Sequence, residues 1–269
     1  MMKNITLFIF GLSVLIFTGC EKVVDIDLNT DEPVLVVDGG LYNDREFNVA
    51  LSLTSNYFDN STSPIINNGS VSLLDETSDS TITLQSVGNG EYSTQNFTPT
   101  PKHSYRISIT YNGKSYSGSD KMPATVKLDS ITYRYEEASV FGDAGYVIFC
   151  EFEDPKAERN FYRVVYRLNG EVKNEAADFF LFDDQATDGN HIRIPLYSTR
   201  FKPGDHIDLQ LISLNQLQYN YLNGIAQLAS GEGQQSTSPA NPENNLSNGA
   251  LGYFGCFAVS SLSIDLPAK

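Results

Sequence analysis

Apolar and polar residues alternate with a period of two along most of this chain. Phe47, Val49, Leu51 and Leu53 alternate with Asn48, Ala50, Ser52 and Thr54, and Tyr105, Ile107, Ile109 and Tyr111 alternate with Ser104, Arg106, Ser108 and Thr110. Successive side chains of a strand face opposite sides, so both runs predict strands with one buried face. Asn112-Gly113 follows the second run and precedes Lys114-Ser115-Tyr116. Asn-Gly suits a type I′ hairpin, whose two central residues both need positive φ. Further strands fit residues 34–37, 71–74, 81–85 and 92–97, giving seven short strands and predicting an immunoglobulin-like β-sandwich over residues 33–123.

Met122-Pro123-Ala124 reads as a hinge, because proline interrupts a strand. Beyond it, over residues 124–269, the alternation resumes in Ile131, Tyr133 and Tyr135, and in Tyr146, Ile148, Cys150 and Phe152 until Asp154-Pro155. Tyr162, Val164, Tyr166 and Leu168 face one way and Arg163 and Arg167 the other, before a second Asn-Gly turn at Asn169-Gly170. Two more strands fit Ile192 to Leu196 and Ile207 to Leu211, and Tyr253 to Val259, apolar on both faces, predicts a central strand. One stretch changes period: Leu214, Leu217, Tyr221, Leu222, Ile225 and Leu228 recur at helical spacing and predict a helix near residues 214–229. A polar loop spans Gly231 to Gly249. The expected architecture is all-β: the sandwich, followed by a second β-rich domain with one packed helix.

The N-terminus has a different pattern. Lys3 precedes an apolar run from Ile5 to Phe17, and Gly19 stands directly before Cys20. That is the layout of a secretory signal over residues 1–19. The run is shorter than the roughly 20 residues a bilayer span needs. A cysteine after a small residue resembles a bacterial lipobox, which makes Cys20 the expected lipidation site and residues 20–32 an anchor linker. Phe17 departs from the leucine usual three residues before that cysteine. Eighteen Lys and Arg against 33 Asp and Glu give a net charge of −15, with no run of basic residues. Nucleic acid is therefore a poor partner, and membrane attachment must come from the lipid rather than a basic patch. Cys150 and Cys256 are the remaining thiols, read as two buried cysteines or a single bridge.

Motifs for chemistry are sparse. His103, His191 and His206 are far apart, with His191 and His206 on the outward phase of their strands, and no metal-ligand spacing or cofactor motif occurs. Asp184-x-x-x-Asp188-Gly189 superficially resembles a calcium loop but has Pro195 where the closing glutamate belongs, so a plain Asp-Gly turn is expected. No nucleophile elbow is present. The reading is of a non-enzyme, with no catalytic, metal or cofactor residue assigned. Tyr57 and Phe58, in a loop between two strands, are candidate contacts for a partner or ligand, or else close the end of the sandwich. Arg163 and Arg167 either engage an anion or pair across strands with Glu151 and Glu153.

Several segments taken together carry a family resemblance. They are Cys20 to Leu28, Leu35 to Gly39, Tyr57-Phe58, Leu128 to Ile131, Asp154-Pro155 with Asn160 to Arg163, Asp188-Gly189, and Leu251 to Gly255. In this order they resemble the DUF4249 lipoproteins of Gram-negative outer membranes, with departures at Gly40 and Cys256. The resemblance implies an outer-membrane setting beside a TonB-dependent receptor, where lipid-anchored partners capture substrate, and it transfers no catalytic residue. The function expected is thus a lipid-anchored binding protein accessory to a TonB-dependent transporter. A structural or adhesin-like surface subunit, and a secreted glycan- or peptide-acting hydrolase, are the alternatives.

Overall fold

Among the described residues, fifteen strands and one helix account for the regular structure. The computed structural model describes residues 32–55, 63–138, 140, 143–173, 180–230 and 244–268. In the first half, β1 (Leu35–Tyr42), β2 (Asn48–Leu53), β3 (Ser70–Asp75), β4 (Ser80–Gly88), β5 (Glu91–Ser93), β6 (Ser104–Tyr111) and β7 (Lys114–Lys121) follow one another. The second half holds β8 (Ser130–Glu136), β9 (Gly145–Glu153), β10 (Phe161–Leu168), β11 (Glu171–Lys173), β12 (Phe180–Asp183), β13 (His191–Phe201), β14 (His206–Leu214), the helix α1 (Gln216–Ser230) and β15 (Leu251–Asp265).

The predicted alternation sets the burial. On β1, Leu35, Val37 and Leu41 are buried while Val36, Asp38 and Tyr42 face outward. Both expected Asn-Gly turns form, with φ of 47° and 74° at Asn112-Gly113 and 52° and 85° at Asn169-Gly170. The bare glycine takes its left-handed conformation without strain, and asparagine tolerates it. Asn89-Gly90, with φ of 54° and 78°, closes β4 onto β5 in the same way.

Twelve strands join one sheet in the order β11-β10-β14-β15-β1-β2-β5-β4-β3-β6-β7, with β12 also on β10, and β13-β9-β8 form a second sheet. The long sheet folds over through β4, so β3, β6 and β7 share one core with β1, β2 and β5. Its other end covers the three-stranded sheet, enclosing a second core around Phe152, Tyr162, Tyr166, Phe201 and Leu209. The result is an all-β sandwich architecture with two principal cores, and residues 33–269 make one compact unit. After Met122, buried in the first core, the chain crosses to Val126 and Leu128 in the second. The backbone N–H groups of Val126 and Leu128 are taken up by the hydroxyls of Ser213 (3.2 Å) and Ser260 (2.9 Å).

The central strand expected at residues 253–259 is the middle of β15, which serves both cores. Leu251 to Phe257 pair in parallel with Val36 to Tyr42, and Ala258 to Asp265 pair antiparallel with Ser213 to His206. Phe254, Cys256 and Ala258 enter the first core. Among the described residues each half of β15 therefore has one edge without a neighbouring strand, and side-chain amides take its place. Asn245 donates to Phe254 O (2.6 Å) and accepts from Phe254 N (3.1 Å). On the opposite edge, past the end of β1, Asn43 Oδ1 accepts from Val259 N at 2.6 Å. A carboxamide carries one donor and one acceptor side, so it reproduces a strand residue and leaves no buried backbone group unpaired.

Cys150 lies in the second core and Cys256 in the first, both wholly buried and both free thiols, so the reading as two buried cysteines holds and no bridge joins them.

Candidate functional site

The outward face of β1 and β15 carries the candidate groove. The parallel register sets Asp38 beside Tyr253, Gly40 beside Gly255, and Tyr42 beside Phe257. Two glycines thus meet across the strands, and rings occupy the space they leave. A Cβ on Gly40 would lie 2.6 Å from the Tyr42 ring, and one on Gly255 would lie 2.7 Å from the Phe257 ring and 3.1 Å from that of Tyr253. Tyr42 and Phe257 stack with centroids 4.8 Å apart, and Tyr253 stacks on Tyr221 of α1 at 4.6 Å. The Arg45 guanidinium lies 4.4 Å from the Tyr42 centroid. Together they pave a continuous aromatic floor for a cavity of about 420 Å³, walled by α1 through Gln218, Tyr221 and Leu222. That volume falls within the range typical of small-molecule sites, roughly 300–1,000 Å³.

Charges of both signs ring the floor: Asp38, Glu46 and Glu91 against Arg45 and Arg163. Arg45 is held by both oxygens of Asp44, at 2.7 and 3.0 Å. Burial lowers the Arg163 pKa from its ordinary value, partly offset by the nearby Tyr42. Burial raises the Tyr42 phenol, and the positive charges of Arg45 and Arg163 work against that rise. The lining offers rings for stacking and charged and amide side chains for hydrogen bonding.

A buried carboxylate fixes the helical wall. Asn215 caps α1: its Oδ1 accepts from Gln218 N (3.0 Å), while Gln218 Oε1 accepts from Asn215 N (2.9 Å). This reciprocal pair is a capping box. Gln218 also donates to Asp120 Oδ2 (2.6 Å) and Cys256 O (2.5 Å), and Cys256 N donates to the same Asp120 oxygen at 2.8 Å. Asp120 Oδ1 accepts from Asn215 Nδ2 (2.5 Å) and Lys121 N (2.9 Å). One carboxylate so ties the start of α1 to β7 and to the open edge of β15. Burial raises its pKa, and the four donors only partly offset that cost.

The residues expected from sequence fall in different places. Cys20, Tyr57 and Phe58 lie outside the described residues, as do residues 231–243 of the long polar loop. The rest of that loop docks on β7, with Ser247 N donating to Ser117 O at 2.8 Å. The expected alternative that Arg163 and Arg167 pair with Glu151 and Glu153 is overturned, because β9 and β10 belong to different sheets. Glu151 instead accepts from Arg193 (2.8 Å) and from Thr132, and Glu153 from His191 (3.0 Å). The three histidines stay apart, each beside a carboxylate: His103 by Asp75, His191 by Glu153, and His206 by Asp265.

The Asp-Gly turn forms, with Gly189 at φ 68°, and brings together carboxylates that sequence reasoning kept separate. Oxygens of Asp154, Asp184 and Asp188 lie within 4.8 Å of one another. Asp154 accepts from Tyr162 OH and Gly189 N, Asp184 from Asn160 N, and Asp188 from Ala157 N. Burial raises the Asp184 carboxyl, and the charges of Asp154 and Asp188 add to it. An all-oxygen donor set suits only a hard cation. Four of the six oxygens accept hydrogen bonds from Tyr162 and from loop N–H groups, so the cluster ties three loops together.

Fold and groove together define an all-β protein with a ring-paved groove on a two-core sandwich. The chain belongs to the family described as Domain of unknown function (DUF4249), whose profile matches residues 21–263. No curated protein matches it. Among solved structures it is similar to a DUF4785 family protein from Legionella pneumophila, 12% identical over 66% of this chain and 52% of that one, with a TM-score of 0.24. The chain thus spans about half the length of that protein, and a likeness so slight carries no argument.

Proposed function

We propose that this protein is a lipid-anchored outer-membrane binding protein, accessory to a TonB-dependent transporter in substrate capture. The observation that carries the binding role is the groove over Gly40 and Gly255. A floor of stacked rings with donors and acceptors at its rim suits recognition of a ligand. Lys3, the apolar run to Phe17 and the Gly19-Cys20 junction support the anchor. The family resemblance supports the transporter as partner.

Two measurements test this reading. Cys20→Ser should move the protein from membrane to soluble fractions, and retention in the membrane counts against the anchor. Native pull-down from solubilised membranes should recover a TonB-dependent receptor. If it recovers none and the protein self-associates, the structural-subunit reading replaces this one. Turnover of a glycan or peptide panel, abolished by single carboxylate substitutions, would instead establish a hydrolase.

A further inference from the structure

A cavity of about 710 Å³ lies away from the groove, along the linker where the chain leaves the first core for the second. Its floor is apolar, built from Met122, Pro123, Val126, Phe161 and Leu214. Its rim is cationic: Lys102, Lys121, Lys156 and Arg159. They come from segments far apart in sequence. Lys102 and Lys121 are neighbours because Lys102 N donates to Met122 O (3.0 Å) and Met122 N to His103 O (2.9 Å). The stem of Lys156 lies over Gly189, in the space a Cβ there would need.

The distribution of charge makes this rim unusual for so acidic a chain. Among the described residues, Lys127 and Lys173 sit beside carboxylates, whereas Lys102, Lys114, Lys121, Lys156 and Lys202 have no ion pair. Three of those five line the one cavity. Carboxylates stand nearby but are engaged: Asp154, Asp184 and Asp188, around the Gly189 turn that the Lys156 stem covers, accept from Gly189 N, Asn160 N and Ala157 N. Glu158 is in the lining, Asp183 holds Arg159 at 3.0 Å, and Asp120 lies buried behind Lys121, committed to its own four donors. Asn215 and Gln216 also line the cavity, so the positive end of the α1 dipole adds to the lysines. Gathering unpaired cations costs repulsion energy, which an anion in their midst would reverse.

We infer that this cleft is a second binding site, for an organic anion that sets an apolar body on the linker floor and two or more phosphate or sulfate groups among Lys102, Lys121 and Lys156. Lysine suits such groups as a mobile point charge, and a rim of three matches a multiply charged ligand better than a single carboxylate. The site is independent of the groove and of the transporter role.

The test is calorimetric titration of the full chain in a neutral detergent, with sucrose octasulfate, diphosphoryl lipid A and its deacylated disaccharide bisphosphate as probes and sucrose as control. Binding of at least one anionic probe is expected, weakening steeply with salt, together with none to sucrose. Lys102→Gln, Lys121→Gln and Lys156→Gln combined should lower affinity by about tenfold or more, the scale of three unit charges a few ångströms away in a screened setting. Each single change should lower it severalfold, which keeps the test decisive should the triple variant misfold. Lys114→Gln with Lys202→Gln should leave affinity unchanged. Tighter binding of the acylated probe identifies a lipid headgroup as the source, and equal binding a soluble ester. No binding by any anionic probe, or equal losses in the two variant sets, overturns the inference. A failed receptor pull-down leaves it standing.

Discussion

Asp120 is the residue whose removal has the most definite consequence. In Asp120→Ala, four donors lose their acceptor at once. Those of Lys121 and Asn215 are close enough to the surface to find water. Gln218 is fully buried, as is Cys256, so the Cys256 N–H and one N–H of the Gln218 amide, which keeps its bond to Cys256 O, are left unpaired. A buried unsatisfied donor costs roughly 1–3 kcal/mol. Against that stands the relief of a desolvated charge, visible in the raised Asp120 pKa. The net expectation at neutral pH is a loss of about 2–4 kcal/mol, or a melting point lower by roughly 4–16 °C for a chain of this size. Urea denaturation at several pH values would measure it. Because the folded pKa lies above the unfolded one, the folded state holds the extra proton between them, and wild-type stability from this group declines as pH rises through that window. The difference between wild type and variant should therefore be widest in acid and narrow toward its neutral plateau. A variant within 0.5 kcal/mol of wild type at every pH, the ordinary scatter of surface changes at roughly ±0.5 kcal/mol, would refute the argument.

Asn245→Ala should cost about 1–3 kcal/mol by leaving both polar groups of Phe254 unpaired on the open edge of β15, read as a drop in the denaturation midpoint. Asp184→Asn should raise the melting temperature at neutral pH, because it removes a buried like charge beside Asp154 and Asp188 yet leaves an oxygen for Asn160 N; a fall on mutation would mean the three charges are held together by a cation. Cys150 and Cys256 should resist a thiol reagent until the protein unfolds: both are buried, and burial pushes the Cys150 thiol up to about 12. Gly40→Leu should push the Tyr42 ring off the groove floor and abolish ligand capture while shifting stability by less than about 2 kcal/mol, since the ring can swing outward; unchanged capture would exclude the groove as the site.

Strand periodicity, the two hairpin turns it singled out and the helix near residues 214–229 were legible in sequence because each is a local signal. The third turn, Asn89-Gly90, used the same chemistry and could have been read. What escaped depends on pairing at long range. Gly40 and Gly255 are more than two hundred positions apart, and nothing local says that their strands run in parallel and set them side by side. The lysine cleft was hidden for the same reason, since its members are isolated singly along an acidic chain. Asn245 and Asn43 look like loop asparagines, and only the handover of β15 between two partner strands shows why an amide is needed at each. Asp154, Asp184 and Asp188 likewise meet only once three loops are closed.

The double duty of β15 also dictates an order of events. Residues 251–265 leave the ribosome long after β1, yet β1 has no neighbour on that side until they arrive. Neither core can be sealed on a partial chain, and β1 would wait with a bare hydrogen-bonding edge open to any strand that passes. Such distant pairing makes folding slow and favours a chain kept unfolded until it is complete. The final strand therefore acts as a proofreading step: a product cut short before residue 251 would lack the piece that closes both halves, and would be left to proteases.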